Sequence, residues 1–360
     1  MNINKKRILC LIDSLASGGA QRQMVGLASL LQDKGYVVKI VTYYDIPFYR
    51  SFLVQNSIDH ESLSCRKGLV SRLFAVNKAI KRFKPDVVIS YLDTPCLLAC
   101  IIKGFSKGWK LIVSERNTTQ KESRRDKIKF FLYQNADFIV PNSYSQAEFI
   151  ATHYNRLFSK CLVITNFVDT ETFRPAYNTD NKGGLAIVGV GRISTQKNIP
   201  LLIEAIKLVH DTGLKVKVDW YGNRLESYDI CLRLIRQYGL ETVFQFHEPF
   251  NPIIEKYQAA DLFVLPSVYE GFPNVLCEAL SCGVPSIASD VCDNGKIITH
   301  GYNGFLFRSG DANEFANSII RFAKLSNEKK MDMSNKSREV ALKLFSKETF
   351  IKKYLDLIES

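Results

Sequence analysis

No part of the 360-residue chain offers the roughly 18 to 20 uninterrupted apolar residues that a membrane-spanning helix needs, so no span is expected. The first residues, "MNINKKRILCLIDSLASGG", begin like a secretory signal, a basic stretch before an apolar one. The apolar part breaks at Asp13 after five residues, which excludes that reading. Low-complexity tracts are missing too, and 46% hydrophobic residues is too apolar for a disordered chain, so a globular protein is expected. Histidine is scarce, with five residues scattered singly, and no Asp-x-Asp pair occurs, so neither common sign of a bound cation is present. Cysteine is present but unpatterned: nine residues, an odd number, mostly inside apolar stretches. The pair in "CLLAC" (Cys96, Cys100) lacks a companion pair or histidine, so buried reduced thiols are expected rather than a metal site. That state suits a cytosolic protein.

Charge is unevenly placed. Residues 1–180 hold 26 Lys and Arg against 15 Asp and Glu, whereas residues 181–360 hold 22 against 21. The first half should therefore face the acidic partner. No recognised nucleic-acid motif accompanies the charge, which favours lipid phosphate over nucleic acid.

Two stretches repeat one order of elements. "RILCLIDSLASGGAQRQMVGLASLLQDKGYVVKIVTYY" (7–44) reads as an apolar strand, a glycine turn, an amphipathic helix closed near Gly35, and a second strand. "GLAIVGVGRISTQKNIPLLIEAIKLVHDTGLKVKVDWYG" (184–222) repeats it, with Gly213 at the corresponding helix end. Strand and helix go on alternating through "KPDVVISYL", "KLIVSERN" and "ADFIVPNS", then through "ADLFVLPS" and "PSIASD". The α/β pattern is that of two doubly wound parallel-sheet, Rossmann-like domains, 1–175 and 184–344, joined by a polar linker around 174–184. A C-terminal helix, about 345–360, could pack back onto the first domain. Ligands of such sheets bind beyond the carboxyl ends of the strands, and two such domains facing each other make a cleft. Gly18 and Gly19 follow the first strand, Arg192 and Lys197 follow "AIVGVG", and Glu270 and Glu278 follow a later strand.

The last two sit in "SVYEGFPNVLCEALSCGVPSIASD" (267–290), where a turn holds Glu270 and a helix begun near Pro273 holds Glu278 about a turn and a half in. The backbone N–H groups of Gly271 to Leu276 (Gly271, Phe272, Pro273, Asn274, Val275, Leu276) would form an anion site between the carboxylates. A sugar hydroxyl, a phosphate and a ribose diol would fit the three parts. On spacing alone, a solvated loop glutamate and a half-buried helix glutamate fit equally well.

With "GGAQR" (18–22), "PNS" (141–143), "NFVD" (166–169), "GRISTQKN" (191–198), "AADLFVLPSVYEGFPNVLCEAL" (259–280), "GVPSIASD" (283–290) and "GYNGFLF" (301–307), the chain resembles the retaining glycosyltransferases of family 4, which have the two-domain GT-B fold. The resemblance implies a nucleotide-sugar donor, UDP- or GDP-linked, as substrate, with no cofactor and no metal. It implies that Arg192 and Lys197 hold the donor diphosphate, that Glu270 lies near the donor sugar, and that Glu278 binds the ribose hydroxyls. Gly18 and Gly19 would approach the donor from the other domain, and the amides from Gly271 to Leu276 would contact sugar and phosphate. Arg192, Lys197 and Glu270 are then the catalytic set. Three positions depart from the family pattern: Glu115-Arg116-Asn117 stand where many relatives carry a histidine, Glu248 for a glycine, and Lys296 for a glutamate.

On the acceptor side, Glu115, Arg116 and Asn117 are candidates for contact with acceptor or membrane, and "QKESRRDKIKFFLYQ" (120–134) concentrates Lys121, Arg124, Arg125, Lys127 and Lys129 beside Phe130, Phe131 and Leu132. Basic and aromatic residues alternate there with interfacial character, so contact with an anionic membrane surface is expected. The stretch 66–84 is also basic, but its apolar spacing reads as a sheet-covering helix. The reading that results is a peripheral enzyme on the inner face of the cytoplasmic membrane, extending a lipid-linked or surface glycan such as an O-antigen or capsule. A nucleotide-sugar epimerase of the same fold and a non-catalytic glycan- or nucleotide-binding protein are the alternatives.

Overall fold

Apolar β-branched runs too short for helices form two separate parallel sheets in the computed structural model, which describes residues 5–63, 65, 68–176, 183–250 and 252–360. The first sheet holds β1 (Arg7–Leu11), β2 (Val37–Thr42), β3 (Asp59–Ser62), β4 (Val87–Tyr91), β5 (Lys110–Glu115) and β6 (Phe138–Pro141), in the order β3-β2-β1-β4-β5-β6. The second holds β7 (Leu185–Val190), β8 (Val216–Tyr221), β9 (Phe244–His247), β10 (Leu262–Leu265), β11 (Ser286–Ser289) and β12 (Gly304–Phe307), in the order β12-β11-β10-β7-β8-β9. Every pairing is parallel. In each sheet the chain starts in the middle, runs out to one edge and returns to the other side. The reversal falls between β1 and β4 in the first sheet and between β7 and β10 in the second. These are the switch points at which such sheets open a crevice at the carboxyl ends of the strands.

The two repeats form as their patterns dictate. The helices Gly19–Asp33 and Ile199–Asp211 bury Leu27, Ala28 and Leu31, and Leu202, Ile206 and Val209, against their sheets. Each is followed by a glycine at positive φ, Gly35 at 90° and Gly213 at 80°, a conformation that a side chain would strain. The helix Leu69–Phe83 buries Val76, Ala79, Ile80 and Phe83, as a sheet-covering helix does. Arg66 and Lys67 of the same basic stretch lie outside the described residues.

The compact units are 1–166 with 348–360, and 167–347. The crossing at Asn166–Phe167 precedes the linker inferred from composition. Residues 177–182 of that linker are outside the described ones, but its beginning is tied into the second unit: Arg338 Nη1 donates to Phe173 O (2.8 Å) and Gln258 Nε2 to Arg174 O (2.7 Å). The carboxyl-terminal helix, Lys347–Glu359, returns to the first unit. It buries Phe350, Ile351, Tyr354, Leu357 and Ile358 there, and the Tyr354 and Tyr91 hydroxyls lie 2.8 Å apart inside. None of the nine cysteines forms a disulfide among the described residues, and burial pushes the Cys10, Cys96 and Cys231 thiols up to about 12, which keeps them protonated and unreactive.

Tyr354→Phe leaves the Tyr91 hydroxyl without its buried partner and should destabilise the first unit by about 1–3 kcal/mol. Tyr354→Ala adds a cavity and should cost about 3–5 kcal/mol. Hydrogen exchange resolves the two units: protection should fall in β1, β4 and β5 and stay unchanged in β7 to β12. Equal loss in both sheets would show that the terminal helix does not stabilise the first unit selectively.

Candidate functional site

The loops after β7 and β10 meet at the switch point of the second sheet. Gly191 ends β7 under close confinement: its carbonyl oxygen accepts from Trp220 Nε1 (2.8 Å), and a Cβ on Gly222 would lie 2.0 Å from that same oxygen. The loop that follows is held to the one after β10 by Val268 N–H donating to Gln196 O (2.9 Å) and by Gln196 Nε2 donating to Tyr269 O (3.1 Å). This lacing brings Lys197 Nζ to 2.6 Å from Glu270 Oε1, with both side chains buried. Ser267 Oγ donates to the same carboxylate oxygen at 2.6 Å, and Ser289 Oγ fixes the Ser267 carbonyl at 2.6 Å. Glu270 is thus gripped by two donors from its own unit. Arg192, by contrast, is exposed, with its guanidinium 3.5 Å from Gln196 Oε1.

Glu278 is buried at 2% exposure and accepts from Tyr257 Oη at 3.0 Å. It lies one turn into the helix Asn274–Ser281, which begins just after Pro273 rather than at it. The cradle expected from Gly271 to Leu276 is narrower than its sequence suggested. Pro273 has no N–H, and the Leu276 N–H, like that of Cys277, donates to Pro273 O at 3.2 Å. Two of the departures from the family pattern also have places in this unit: Glu248 pairs with Arg224 at 3.0 Å, and Lys296 lies on the short helix Asn294–Ile297.

In the first unit, Gly18 precedes the helix Gly19–Asp33 in extended backbone, and a Cβ there would meet only the movable end of Gln21, so the fold itself does not require glycine at that position. The basic segment divides. The helix Arg124–Leu132 is started by a capping box, Ser123 with Asp126, and it leaves Lys121, Arg124, Arg125 and Lys127 exposed beside Ile128 and Phe131. Lys129 does not belong to that surface. At 5% exposure it points inward, with Nζ 2.8 Å from Glu115, 3.3 Å from Asp93 and 3.5 Å from Asp126. The reason is helical phase: Lys129 and Tyr133, four residues apart, share the face that Phe130 buries. Glu115 also accepts from Tyr133 Oη and from Gln146 Nε2 (3.3 Å).

Burial pushes the Glu115 carboxyl up, against the downward pull of Lys129. Burial would lower Lys129, but Glu115 and Asp93 outweigh it and hold the ammonium above its ordinary range. The two directions oppose one another for one pair; three carboxylates around a single ammonium make the charged Lys129 the firmer of the two. This cluster was invisible to sequence reasoning, whose only available signal was the spacing of Lys129 and Tyr133.

Two family models divide most of the chain between them. Residues 17–172 match Glycosyltransferase Family 4 and residues 169–340 match Glycosyl transferases group 1. The N-acetylgalactosamine-N,N'-diacetylbacillosaminyl-diphospho-undecaprenol 4-alpha-N-acetylgalactosaminyltransferase of Campylobacter jejuni is 29% identical over 78% of this chain and 79% of its own. The UDP-Gal:alpha-D-GlcNAc-diphosphoundecaprenol alpha-1,3-galactosyltransferase of Escherichia coli is 30% identical over 45% of each. Among solved structures, Anabaena Alr3699/HepE in complex with UDP superposes with a TM-score of 0.84 at 19% identity, covering 98% of this chain and 99% of that one.

Lys129→Met strands the Glu115 carboxylate and should destabilise the protein by about 3–5 kcal/mol, while adding Glu115→Gln should recover most of the loss. Denaturant unfolding of the first unit measures both. A cost below about 1 kcal/mol for the single variant would mean that Lys129 is solvated after all.

Proposed function

The chain belongs to the family 4 glycosyltransferases, with the GT-B fold, and from that premise we propose that it moves a sugar, with retention and without a metal, from a nucleotide donor to a lipid-linked glycan acceptor at a membrane surface. The observation that carries the donor half is the Lys197–Glu270 pair at the β7–β10 switch point, with Arg192 on the same loop. An ammonium has three N–H donors, and one directed at Glu270 leaves two for phosphate oxygens. As the bond from the anomeric carbon to the diphosphate breaks, negative charge grows on the leaving oxygens, and Lys197 and Arg192 stabilise it without reorganising. The acceptor hydroxyl forms the new bond on the face that the diphosphate leaves, and its proton passes to a phosphate oxygen. Glu270 keeps Lys197 aimed and contacts the sugar; Glu278, with Tyr257 behind it, binds the ribose hydroxyls.

The named substrate of the Campylobacter relative, a diphospho-undecaprenol-linked glycan, supports a lipid-linked acceptor, and the excess of basic residues in 1–180 supports an anionic surface. The bound UDP of the Anabaena structure supports a UDP-sugar donor.

Lys197→Ala and Arg192→Ala should each lower kcat by about a hundredfold, near 3 kcal/mol, in an assay following release of the nucleoside diphosphate. Glu278→Ala should instead weaken UDP binding, read by calorimetry. The parent rate should survive excess chelator, and the product should keep the anomeric configuration of the donor. Near-parent turnover in both cation variants would remove the diphosphate assignment.

Membrane contact is carried by four exposed cations. Each contributes on the order of 1 kcal/mol of salt-sensitive attraction to an anionic surface. A variant with Gln at Lys121, Arg124, Arg125 and Lys127, Lys129 being left in place, should no longer sediment with anionic liposomes, while parent binding should fade as ionic strength rises. Equal binding by the two proteins would move the contact elsewhere.

A further inference from the structure

Arg116 follows β5 at the carboxyl end of the first sheet, the end at which parallel sheets bind ligands. It is 8% exposed, yet Nη1 and Nη2 of its guanidinium have no hydrogen-bond partner among the described residues. An arginine cannot shed its charge in a protein, so a cation is held in the interior with the donors of its fork unmet. Compensation from the chain is slight. The neighbouring carboxylate, Glu115, is engaged by Lys129, Tyr133 and Gln146. The guanidinium carbon lies 4.1 Å from the centroid of the Tyr91 ring, so a ring face rather than an anion supports it. The ring contact holds the guanidinium against Tyr91. Tyr91 cannot turn away, because it is wholly buried and its hydroxyl is 2.8 Å from that of Tyr354. A second polar atom without a hydrogen-bond partner among the described residues, Asn142 Oδ1, is buried after β6, on the residue whose N–H donates to Glu115 O at 3.0 Å.

Leaving a buried charge unpaired costs several kcal/mol, an expense that a fold keeps where a ligand supplies the counter-charge. A planar fork with parallel N–H groups suits an oxyanion gripped through two oxygens. We propose that Arg116 is an anion-binding residue of the first unit, taking a phosphoryl group of the lipid-linked acceptor. The proposal rests on the reading of the acceptor as a polyprenyl diphosphate glycan. It assigns to one side chain the acceptor phosphate, as distinct from the donor phosphates placed at Arg192 and Lys197. The basic excess of residues 1–180 would draw such a ligand towards this unit.

The test uses the full chain, saturated with UDP so that donor phosphates do not compete, and farnesyl diphosphate as the probe in a binding titration. Arg116→Met and Arg116→Gln should raise the Kd for farnesyl diphosphate at least tenfold, and Arg116→Lys, a point charge without the fork, should fall between them and the parent. Unliganded Arg116→Met should melt at the parent temperature or above it, since an uncompensated charge is gone. Inorganic pyrophosphate should show the same dependence on Arg116, which assigns the recognition to phosphate, and farnesol should not bind. UDP affinity, measured separately, should be unchanged in the Arg116 variants, and the Arg192→Ala/Lys197→Ala protein, titrated without UDP, should bind farnesyl diphosphate as the parent does. That arm stands even if the donor assignment fails. A Kd within twofold of the parent in both Met and Gln variants, or a fall in melting temperature of several degrees in both, would overturn the proposal, the second outcome by showing a structural cation.

Discussion

The contact on which the proposed donor site depends is the 2.6 Å pair between Lys197 and Glu270, and it exists because of where the sheet reverses. β7 and β10 are neighbours in space and far apart in sequence, so the loops leaving their carboxyl ends emerge side by side. The backbone then sets the distance. Gln196 ties the loops together, its side-chain Nε2 donating to the Tyr269 carbonyl and its own carbonyl accepting from the Val268 N–H, and glycine at 191 and 222 lets the β7 and β8 ends approach more closely than a Cβ would permit. Buried pairs of this kind gain little net stability, because desolvation offsets their attraction. For the proposed reaction the pair contributes geometry: an ammonium held in one place before a phosphate arrives, with no reorganisation left to do in the transition state.

The first unit uses the same end of its sheet in another way. Around Glu115 the charges are closed on themselves: Lys129, Tyr133 and Gln146 satisfy the carboxylate, and Asp93 and Asp126 surround the ammonium. One residue further on, Arg116 is left open. A closed cluster and an open cation on adjacent residues show that net charge alone does not locate a ligand. The excess of basic residues in 1–180 is spread over the unit, while the charge able to hold an anion is a matter of which partners are spent.

The element order, both glycine-closed helices and the alternation into two parallel sheets were legible because periodicity and turn chemistry are local. Lys197 and Glu270 were each legible as strand-end residues, but their pairing was not, since 73 residues separate them and only the sheet order makes them neighbours. Helical phase explains the misplacement of Lys129. In "RRDKIKFFL" charges occur on every face, and nothing in the string says that the face of Phe130 rather than that of Phe131 is buried. The start of the linker illustrates a related point. Composition marks 174–184 as polar, yet Phe173 and Arg174 are held by Arg338 and Gln258, long-range hydrogen bonds that no local pattern reports.

The same contrast bears on what a sequence motif can certify. The run "EGFPN" announces a helix start able to receive an anion, and the helix does start there, but two of the six positions are lost to chemistry that the letters already contained: a proline without an N–H, and a leucine whose N–H turns back to that proline's carbonyl. A cradle reduced in this way places more of the burden of charge stabilisation on side chains. The exposed Arg192 is free to swing towards a phosphate, whereas Lys197 is fixed by Glu270. In the proposed reaction the two cations therefore divide the work by mobility: the fixed one sets where the diphosphate lies, and the mobile one follows charge as it develops. Loss of Arg192 should be felt in turnover rather than in folding, whereas loss of Lys197 also strands the buried Glu270 carboxylate and costs stability.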